Sequence, residues 1–250
     1  MTIYYAIVCF IFGMVLGSFY NVVGCRLPKK ESILTPSSHC TKCNHRLTFL
    51  ELIPVFSYLF LGGKCKCCKQ KISLFYPIIE LMTGILFMIS YLKFHFSVNF
   101  FISITLISIL AIVVVSDYEY MVICDEVLII GNILLLIEII IGNGIKSSFI
   151  SIINGLIAFF IMWLIKILGD FLFKKESMGG GDIKLMFTFG MTLGILNSMM
   201  TIFLAAFIGL PVSLILLKTK KEHEIAFGPF LSIAALILFI TQFDYISLFL

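Results

Sequence analysis

Long apolar runs separated by short polar segments make up most of the chain. A helix needs about 20 predominantly apolar residues to cross the hydrocarbon core of a bilayer. Eight runs approach or exceed that length: 3–24, 74–92, 98–116, 124–142, 148–170, 183–197, 199–217 and 227–247. The pattern therefore predicts eight membrane-spanning helices. Seven is the alternative, because the runs 74–92 and 183–197 are short or interrupted.

The composition agrees with a membrane protein. Mean hydropathy is +1.12 and charged residues make up 13% of the 250 positions, whereas about 25% is usual in soluble domains. The first apolar run has no Lys or Arg before it and is longer than the apolar core of a typical signal peptide, so we expect a membrane helix there. The expected fold class is an all-α polytopic membrane protein.

The positions of the basic residues predict the topology. With the N-terminus outside, eight crossings place four segments in the cytoplasm, namely 26–73, 117–123, 174–182 and 218–226. These segments and their flanks carry fifteen of the 18 Lys and Arg residues, nine of them in 26–73. Basic loops that set topology and contact anionic lipid account for the net charge of +4, so we expect a lipid bilayer and no nucleic acid as partner.

The polar segment 26–73 is too small to build a stable apolar core unaided. It contains two C-x2-C pairs, formed by Cys40, Cys43, Cys65 and Cys68. Four thiolates in two close pairs are typical of a tetrahedral structural zinc site. Disulfides are disfavoured because the predicted compartment is the reducing cytoplasm. We therefore expect zinc to stabilise this segment.

Three further side chains lie close to these cysteines in sequence. Cys67 offers an alternative second pair, although the C-x2-C spacing favours Cys65 with Cys68. His39 and His45 are alternative ligands, but a histidine beside a cysteine pair more often contacts solvent or a ligand than the metal itself.

Two aspartates share a membrane side and a depth in the predicted topology. Asp117 directly follows the third apolar run, and Asp182 directly precedes the sixth. Two carboxylates brought together can share one proton. The ionised group then takes a proton from an attacking water while the protonated group polarises the carbonyl. The pattern therefore favours aspartic-protease chemistry, with an interfacial charge at Asp117 as the alternative.

The glycines Gly179 and Gly181 precede the second aspartate in a G-x-G-D pattern. Lacking side chains, they would let the backbone bend and approach a substrate peptide. The alternative is that they end one helix while Asp182 caps the next. Among the other acids, Asp125 and Glu126 are expected to begin a helix. Glu80 lies inside an apolar run, where we expect it to bind Lys or backbone near the interface.

Taken together, these residues resemble the type IV prepilin peptidases, a family of bifunctional leader peptidases and N-methyltransferases. The resemblance extends almost from end to end and includes the two C-x2-C pairs and the motifs GSFYNVVGCRLP, ELIPVFSYLFLGGKC, YPIIELMTG, SDYEYMVICDE, MGGGDIKL and FGPFLSIAAL. The chain departs from the family at Ile123-Cys124-Asp125, where members often have Leu-Pro-Asp.

The resemblance implies a function and a site. Asp117 and Asp182 would be the catalytic pair, supported by Gly179 and Gly181. The enzyme would remove a basic leader from type IV prepilins or pilin-like proteins at the cytoplasmic face of the cell membrane. It would then methylate the new N-terminal residue with S-adenosylmethionine. Its site for this cofactor has no visible glycine-rich fingerprint.

The expected organisation has three parts: a first transmembrane helix (1–25), a cytoplasmic cysteine-rich segment (26–73) and a membrane-embedded peptidase domain (74–250). One alternative is a related peptidase, such as a preflagellin peptidase, without methyltransferase activity. The cysteine pairs argue against it because that group generally lacks them. A transporter or membrane assembly protein, whose acids would carry protons, is the alternative from another class.

Overall fold

The computed structural model of the chain describes residues 1–174, 176, 178–218 and 226–242, and for 216–218 it describes the backbone only. Its seven α-helices are α1 (Thr2–Arg26), α2 (Phe56–Phe60), α3 (Phe75–Phe94), α4 (Val98–Tyr120), α5 (Asp125–Phe173), α6 (Gly180–Lys218) and α7 (Gly228–Thr241). Of the lysines assigned to the cytoplasm, Lys175, Lys220 and Lys221 lie outside the described residues, as does the end of the run 227–247.

The described residues confirm the all-α fold class. Within them, five helices are long and apolar enough to cross a membrane: α1, α3, α4, α5 and α6. The helical backbone of α5 is interrupted at Gly144 and that of α6 at Gly194, each with φ near 80°. Glycine adopts this conformation without steric cost. Divided at these two glycines, α5 and α6 give four helical stretches that overlap four of the predicted runs, although Gly194 lies within the run 183–197. The count of eight crossings stays a prediction.

Close backbone contact joins α1 and α3. A Cβ atom added at Gly13 would lie 2.9 Å from the Cα atom of Gly84, and one at Gly17 would lie 2.9 Å from the Cα atom of Glu80. Small residues at such a contact let apolar helices approach closely and gain dispersion energy. Any larger side chain at these positions would force the two helices apart.

Helix α4 packs against α1 and α3 on one side of the chain order and against α5 and α7 on the other. It therefore joins the early helices to the later ones. Its side chains Leu106, Leu110 and Val113 are buried, and they join a core that includes Phe189 of α6 and Leu231 of α7. This central position of α4 fixes the place of its last turn, which carries Asp117.

Helices α5 and α6 form a second close pair. A Cβ atom at Gly190 would lie 2.6 Å from the carbonyl oxygen of Asn154 and 2.8 Å from the Cα atom of Gly155. This contact fixes the first half of α6 against the second half of α5. It thereby holds the beginning of α6, where Asp182 lies.

The segment between α1 and α3 has little regular structure. It contains short 3-10 helices at Leu27–Lys29 and Phe49–Leu52, the helix α2, and isolated antiparallel bridges between His39 and Arg46 and between Lys64 and Lys71. Each bridge closes the turn that carries one C-x2-C pair, which brings both sulfurs of the pair to the same side.

Candidate functional site

Asp117 lies in the last turn of α4, and only 8% of its surface is exposed. The helix ends at Tyr120, and the next residue, Met121, has a left-handed backbone and donates its N–H to the carbonyl oxygen of Asp117. A carboxylate buried at such a place is costly, because water solvates it only in part. Its retention there needs a structural partner or a function.

Asp182 lies in the first turn of α6 and is buried to the same extent. The positive end of the helix dipole favours a negative charge at this position. The carboxylates of Asp182 and Asp117 lie near enough for the charge of one to act on the other. The fold thus brings together two acids that are far apart in sequence.

The backbone N–H of Gly228 donates a hydrogen bond of 2.9 Å to Oδ2 of Asp117. Gly228 is the first residue of α7, so this N–H belongs to a helix N-terminus and has no partner within its own helix. A Cβ atom at this position would lie 2.6 Å from Oδ2 of Asp117, which is shorter than a non-bonded contact between carbon and oxygen allows. The contact therefore requires glycine, a requirement that the sequence analysis did not identify.

A sequence signal for this contact exists in the stretch Phe227-Gly228-Pro229. Proline is common at the first positions of a helix, where its missing N–H costs nothing. Glycine directly before it indicates a helix start that another chain segment approaches closely. The signal predicts a close approach but not its partner.

An open apolar cavity of about 260 Å³ lies beside Phe227, the residue before Gly228. It is lined by Ala206, Gly209, Leu210, Ser213, Phe227 and Phe230. Residues of α6, most of them small, form one wall, and the rings of Phe227 and Phe230 form the other. An apolar side chain fits this cavity better than a charged one.

The two glycines of the G-x-G-D pattern have different surroundings. A Cβ atom at Gly181 would lie 2.7 Å from Cβ of Ile123, in the connection between α4 and α5. At Gly179 an added Cβ atom would lie 3.4 Å from Oδ2 of Asp182. Gly181 therefore lets the start of α6 pack against the residues that follow Asp117, whereas a side chain at Gly179 would begin at ordinary contact distance from the carboxylate of Asp182.

A salt bridge links the starts of α5 and α6. Nζ of Lys184 contacts both carboxylate oxygens of Asp125, at 2.7 and 2.8 Å, and both side chains are about half exposed. Asp125 and Glu126 begin α5, as the sequence analysis predicts. The pairing of Asp125 with Lys184 was not predicted, because the two residues are 59 positions apart.

Glu80 lies in the second turn of α3 and accepts a hydrogen bond of 2.8 Å from the backbone N–H of Val55. The hydroxyl of Ser18 is a further partner. The expected contact with backbone is therefore present. It joins the cysteine-bearing segment to the membrane helices.

The four predicted cysteines form one cluster. Their sulfurs all lie within 4.8 Å of one another, with 3.8 Å between Cys40 and Cys68 and 3.9 Å between Cys43 and Cys65. Four sulfurs at the usual Zn–S distance of about 2.3 Å form a tetrahedron with edges of about 3.8 Å. The cluster therefore has the size of a metal site, and Cys67 is not a member of it.

Neither histidine of this segment belongs to the cysteine cluster. His45 contacts the carboxylate of Glu51 at 3.3 Å, and His39 contacts the carbonyl oxygen of Ser37. Glu51 also accepts hydrogen bonds from the backbone N–H and the hydroxyl of Thr48. These bonds, the backbone one foremost, lower the pKa of Glu51 to about 2.

Two family models match the chain. Residues 11–94 match the bacterial peptidase A24 N-terminal domain, and residues 104–214 match the type IV leader peptidase family. A protein of Bacillus subtilis (strain 168) named prepilin leader peptidase/N-methyltransferase is 32% identical, and the alignment covers 97% of each chain. This chain belongs to the type IV leader peptidase family.

Relatives in that family from other bacteria carry the same name. The protein of Neisseria gonorrhoeae is 30% identical and that of Pseudomonas putida is 28% identical, each over 92% of this chain and 88% of the relative. No solved structure matches the chain. The first family model spans the cysteine cluster, and the second spans both Asp117 and Asp182.

Proposed function

We propose that the chain is an aspartic endopeptidase that removes the leader from type IV prepilins or pilin-like proteins, with Asp117 and Asp182 as its catalytic residues. The observation that carries this proposal is that two buried carboxylates lie at the ends of two apolar helices, near enough to interact electrostatically. Relatives of nearly the same length are named for this activity.

The chemistry needs two carboxylates and one water. One carboxylate takes a proton from the water, whose oxygen attacks the carbonyl carbon of the scissile amide. The other, protonated, carboxyl group donates a hydrogen bond to the carbonyl oxygen and stabilises its developing negative charge. The C–N bond then breaks as the leaving nitrogen receives the proton that the first carboxylate took from the water. The Gly228 N–H orients the carboxylate of Asp117 throughout these steps.

The position of the two aspartates in the fold supports a prepilin substrate. A prepilin presents a basic leader to the cytoplasm and an apolar helix to the bilayer, so the scissile bond lies at the membrane surface. Asp117 and Asp182 lie at helix ends, with apolar helix on one side only. Orientation of this end toward the cytoplasm rests on the Lys and Arg residues of the segment 26–73 and is part of the proposal.

We further propose that Cys40, Cys43, Cys65 and Cys68 bind a structural zinc ion. The spacing of their sulfurs fits the tetrahedron that zinc prefers, and four thiolates leave no position open for a substrate or water. The ion would hold together a segment whose regular structure is limited to short helices and two bridges. We propose that this segment, residues 26–73, takes part in methylation, whereas the peptidase domain, residues 74–250, carries out cleavage.

The second activity would be N-methylation of the new N-terminal residue, as in the names of the relatives. S-adenosylmethionine would supply the methyl group. Among the described residues there is no strand–turn–helix unit of the kind that carries a glycine-rich nucleotide fingerprint. The donor-binding residues are therefore not assigned to any part of the chain.

Incubation of the purified protein with a prepilin, with and without S-adenosylmethionine, tests both activities by intact mass. Loss of the leader mass in both samples, and a gain of one methyl group only with the donor, is the expected result. An unchanged prepilin mass would contradict the peptidase activity. Cleavage without methyl gain would leave a peptidase and contradict the second activity.

A further inference from the structure

The segment between α1 and α3 carries a cluster of exposed apolar side chains, which we call the apolar cluster: Phe49, Leu50, Phe56, Leu59 and Phe60. Their exposed fractions range from 51% at Phe56 to 87% at Phe60. Single exposed apolar residues are common on proteins, but several large ones together indicate a surface that something else covers. All five lie outside the apolar helices that are long enough to span a membrane.

A hydrogen bond fixes the depth of this segment. Helix α3 has 20 residues, which is just the length needed to span the hydrocarbon core, so its first residue, Phe75, lies near the hydrocarbon boundary. Glu80 is five residues further along, or about 7.5 Å deeper at 1.5 Å per residue. The carboxylate of Glu80 accepts a hydrogen bond of 2.8 Å from the backbone N–H of Val55. Because helical side chains tilt toward the helix N-terminus, this carboxylate points back toward the boundary, and Val55 lies between the depth of Glu80 and the headgroups.

Val55 is the residue from which α2 starts. Its φ of 62° is unfavourable for a β-branched side chain, so the surrounding contacts, including the bond to Glu80, must hold it there. Helix α2 follows directly and carries Phe56, Leu59 and Phe60. The apolar cluster therefore extends from an anchor that lies at membrane depth.

The charge of the neighbouring residues fits a membrane surface. Four exposed lysines follow α2, at positions 64, 66, 69 and 71. Lysines beside an apolar surface at this depth can contact the anionic headgroups of lipids. The chain also enters and leaves the segment through membrane helices, at Arg26 and Phe75. Both ends therefore keep the segment close to the bilayer.

We propose that the apolar cluster inserts into the bilayer between the headgroups and the acyl chains, so that part of the predicted cytoplasmic segment is an interfacial membrane anchor. Phe49, Leu50 and the apolar side of α2 would contact lipid, and the lysines would contact anionic headgroups. This inference does not depend on the proposed peptidase activity. It assigns the lipid-facing role to named residues outside the spanning helices.

Tryptophan fluorescence tests the depth of the cluster. The chain has one tryptophan, Trp163, so a Trp163→Phe background permits one new probe at a time. Phe60→Trp probes the cluster, Phe49→Trp gives an independent second probe, and Gln70→Trp is the matched control in an exposed, lysine-rich stretch of the same segment. The protein is placed in nanodiscs of phosphatidylcholine and phosphatidylglycerol, with either acrylamide in the water or lipids brominated along the acyl chain as quencher.

We expect brominated lipids to quench the probes at 60 and 49, and acrylamide to quench them about threefold less than the control at 70. In the Phe60→Trp protein, the additional change Glu80→Ala should raise quenching by acrylamide, whereas Glu80→Gln, which keeps an acceptor oxygen, should raise it less. Acrylamide quenching at 60 and 49 equal to that at 70 would overturn the proposal. Protection from acrylamide without quenching by brominated lipid would also overturn it, because a protein surface would then cover the cluster.

Discussion

Asp117 accepts a hydrogen bond from the backbone N–H of Gly228, a residue 111 positions later in the chain. The bond ties the end of α4 to the beginning of α7, and it leaves no room for a side chain at Gly228. One of the two proposed catalytic carboxylates is therefore oriented by a helix N-terminus.

The change Gly228→Ala tests this relationship. Its Cβ atom would lie 2.6 Å from Oδ2 of Asp117, so the carboxylate must rotate or α7 must shift. Because small displacements of a catalytic group are costly, we expect kcat for leader cleavage to fall by about 100-fold. Cleavage rates of the purified variant measure the loss of activity, and circular dichroism shows whether its helices are retained.

Gly209→Ala is the matched control, since its added Cβ atom would lie at an ordinary distance of 3.4 Å from the ring of Phe230. It should retain most of the activity. Equal losses in both variants would indicate that any substitution near α7 is harmful and would remove the support for orientation of Asp117 by Gly228.

The salt bridge between Lys184 and Asp125 is expected to be structural. Both side chains are about half exposed, so its contribution to the free energy of unfolding should be below about 1 kcal/mol. We expect Asp125→Asn and Lys184→Gln to cleave prepilin at near the wild-type rate and to be slightly destabilised. A double-mutant cycle of thermal unfolding measures the interaction free energy between the two side chains. An inactive Asp125→Asn would mean that Asp125, and not Asp117, acts with Asp182 in cleavage.

Replacing a cysteine of the cluster tests the proposed zinc site. Purified protein should carry about one zinc ion per chain, and replacement of Cys40, Cys43, Cys65 or Cys68 with Ser should lower that occupancy. We expect methylation to decrease more than cleavage, because both proposed catalytic aspartates lie outside this segment. Metal analysis and the two assays on the same preparations provide the measurement.

Cys67→Ser is the control for the cysteine variants, because Cys67 is exposed and not part of the cluster. Its zinc content should match that of the wild type. Active wild-type protein without zinc would contradict the metal site, and so would loss of zinc in Cys67→Ser alone.

The structure around Glu51 should lose stability in acid. Its folded-state pKa of about 2 lies below the ordinary value of 4.5, so its contribution to stability is present above pH 4.5 and is lost as pH falls toward 2. Hydrogen exchange of residues 45–52 should therefore quicken over this range. Glu51→Gln should show a smaller change with pH, and the same acid response in both proteins would contradict the assignment to Glu51.

The sequence predicted much of the fold because membrane helices are encoded in local hydropathy. The break at Gly144 falls between two predicted runs, whereas the break at Gly194 lies within the run 183–197, because its position depends on a single glycine conformation and not on hydropathy. The order of the runs and the positions of the lysines led to the prediction that Asp117 and Asp182 share a membrane side and a depth, and in the structure both lie at helix ends. The cysteine cluster followed from C-x2-C spacing, which is itself a local property.

Contacts between distant segments could not be predicted in this way. The partner of Asp117 is a backbone N–H, which every residue except proline has, so no side chain identifies Gly228 in advance. The pairing of Lys184 with Asp125 depends on how α5 and α6 pack. The bond from Val55 to Glu80 likewise requires the path of the segment between α1 and α3.

The central claim is that Asp117 and Asp182 act together in cleavage, and intact mass of a prepilin incubated with single variants tests it most directly. Asn has nearly the shape of Asp but neither accepts a proton from water nor shares one, so Asp117→Asn and Asp182→Asn should each leave the leader in place while the proteins remain folded. Asp125→Asn serves as the control and should release the leader. Release of the leader by either Asp117→Asn or Asp182→Asn, at a rate near that of the wild type, would contradict the account.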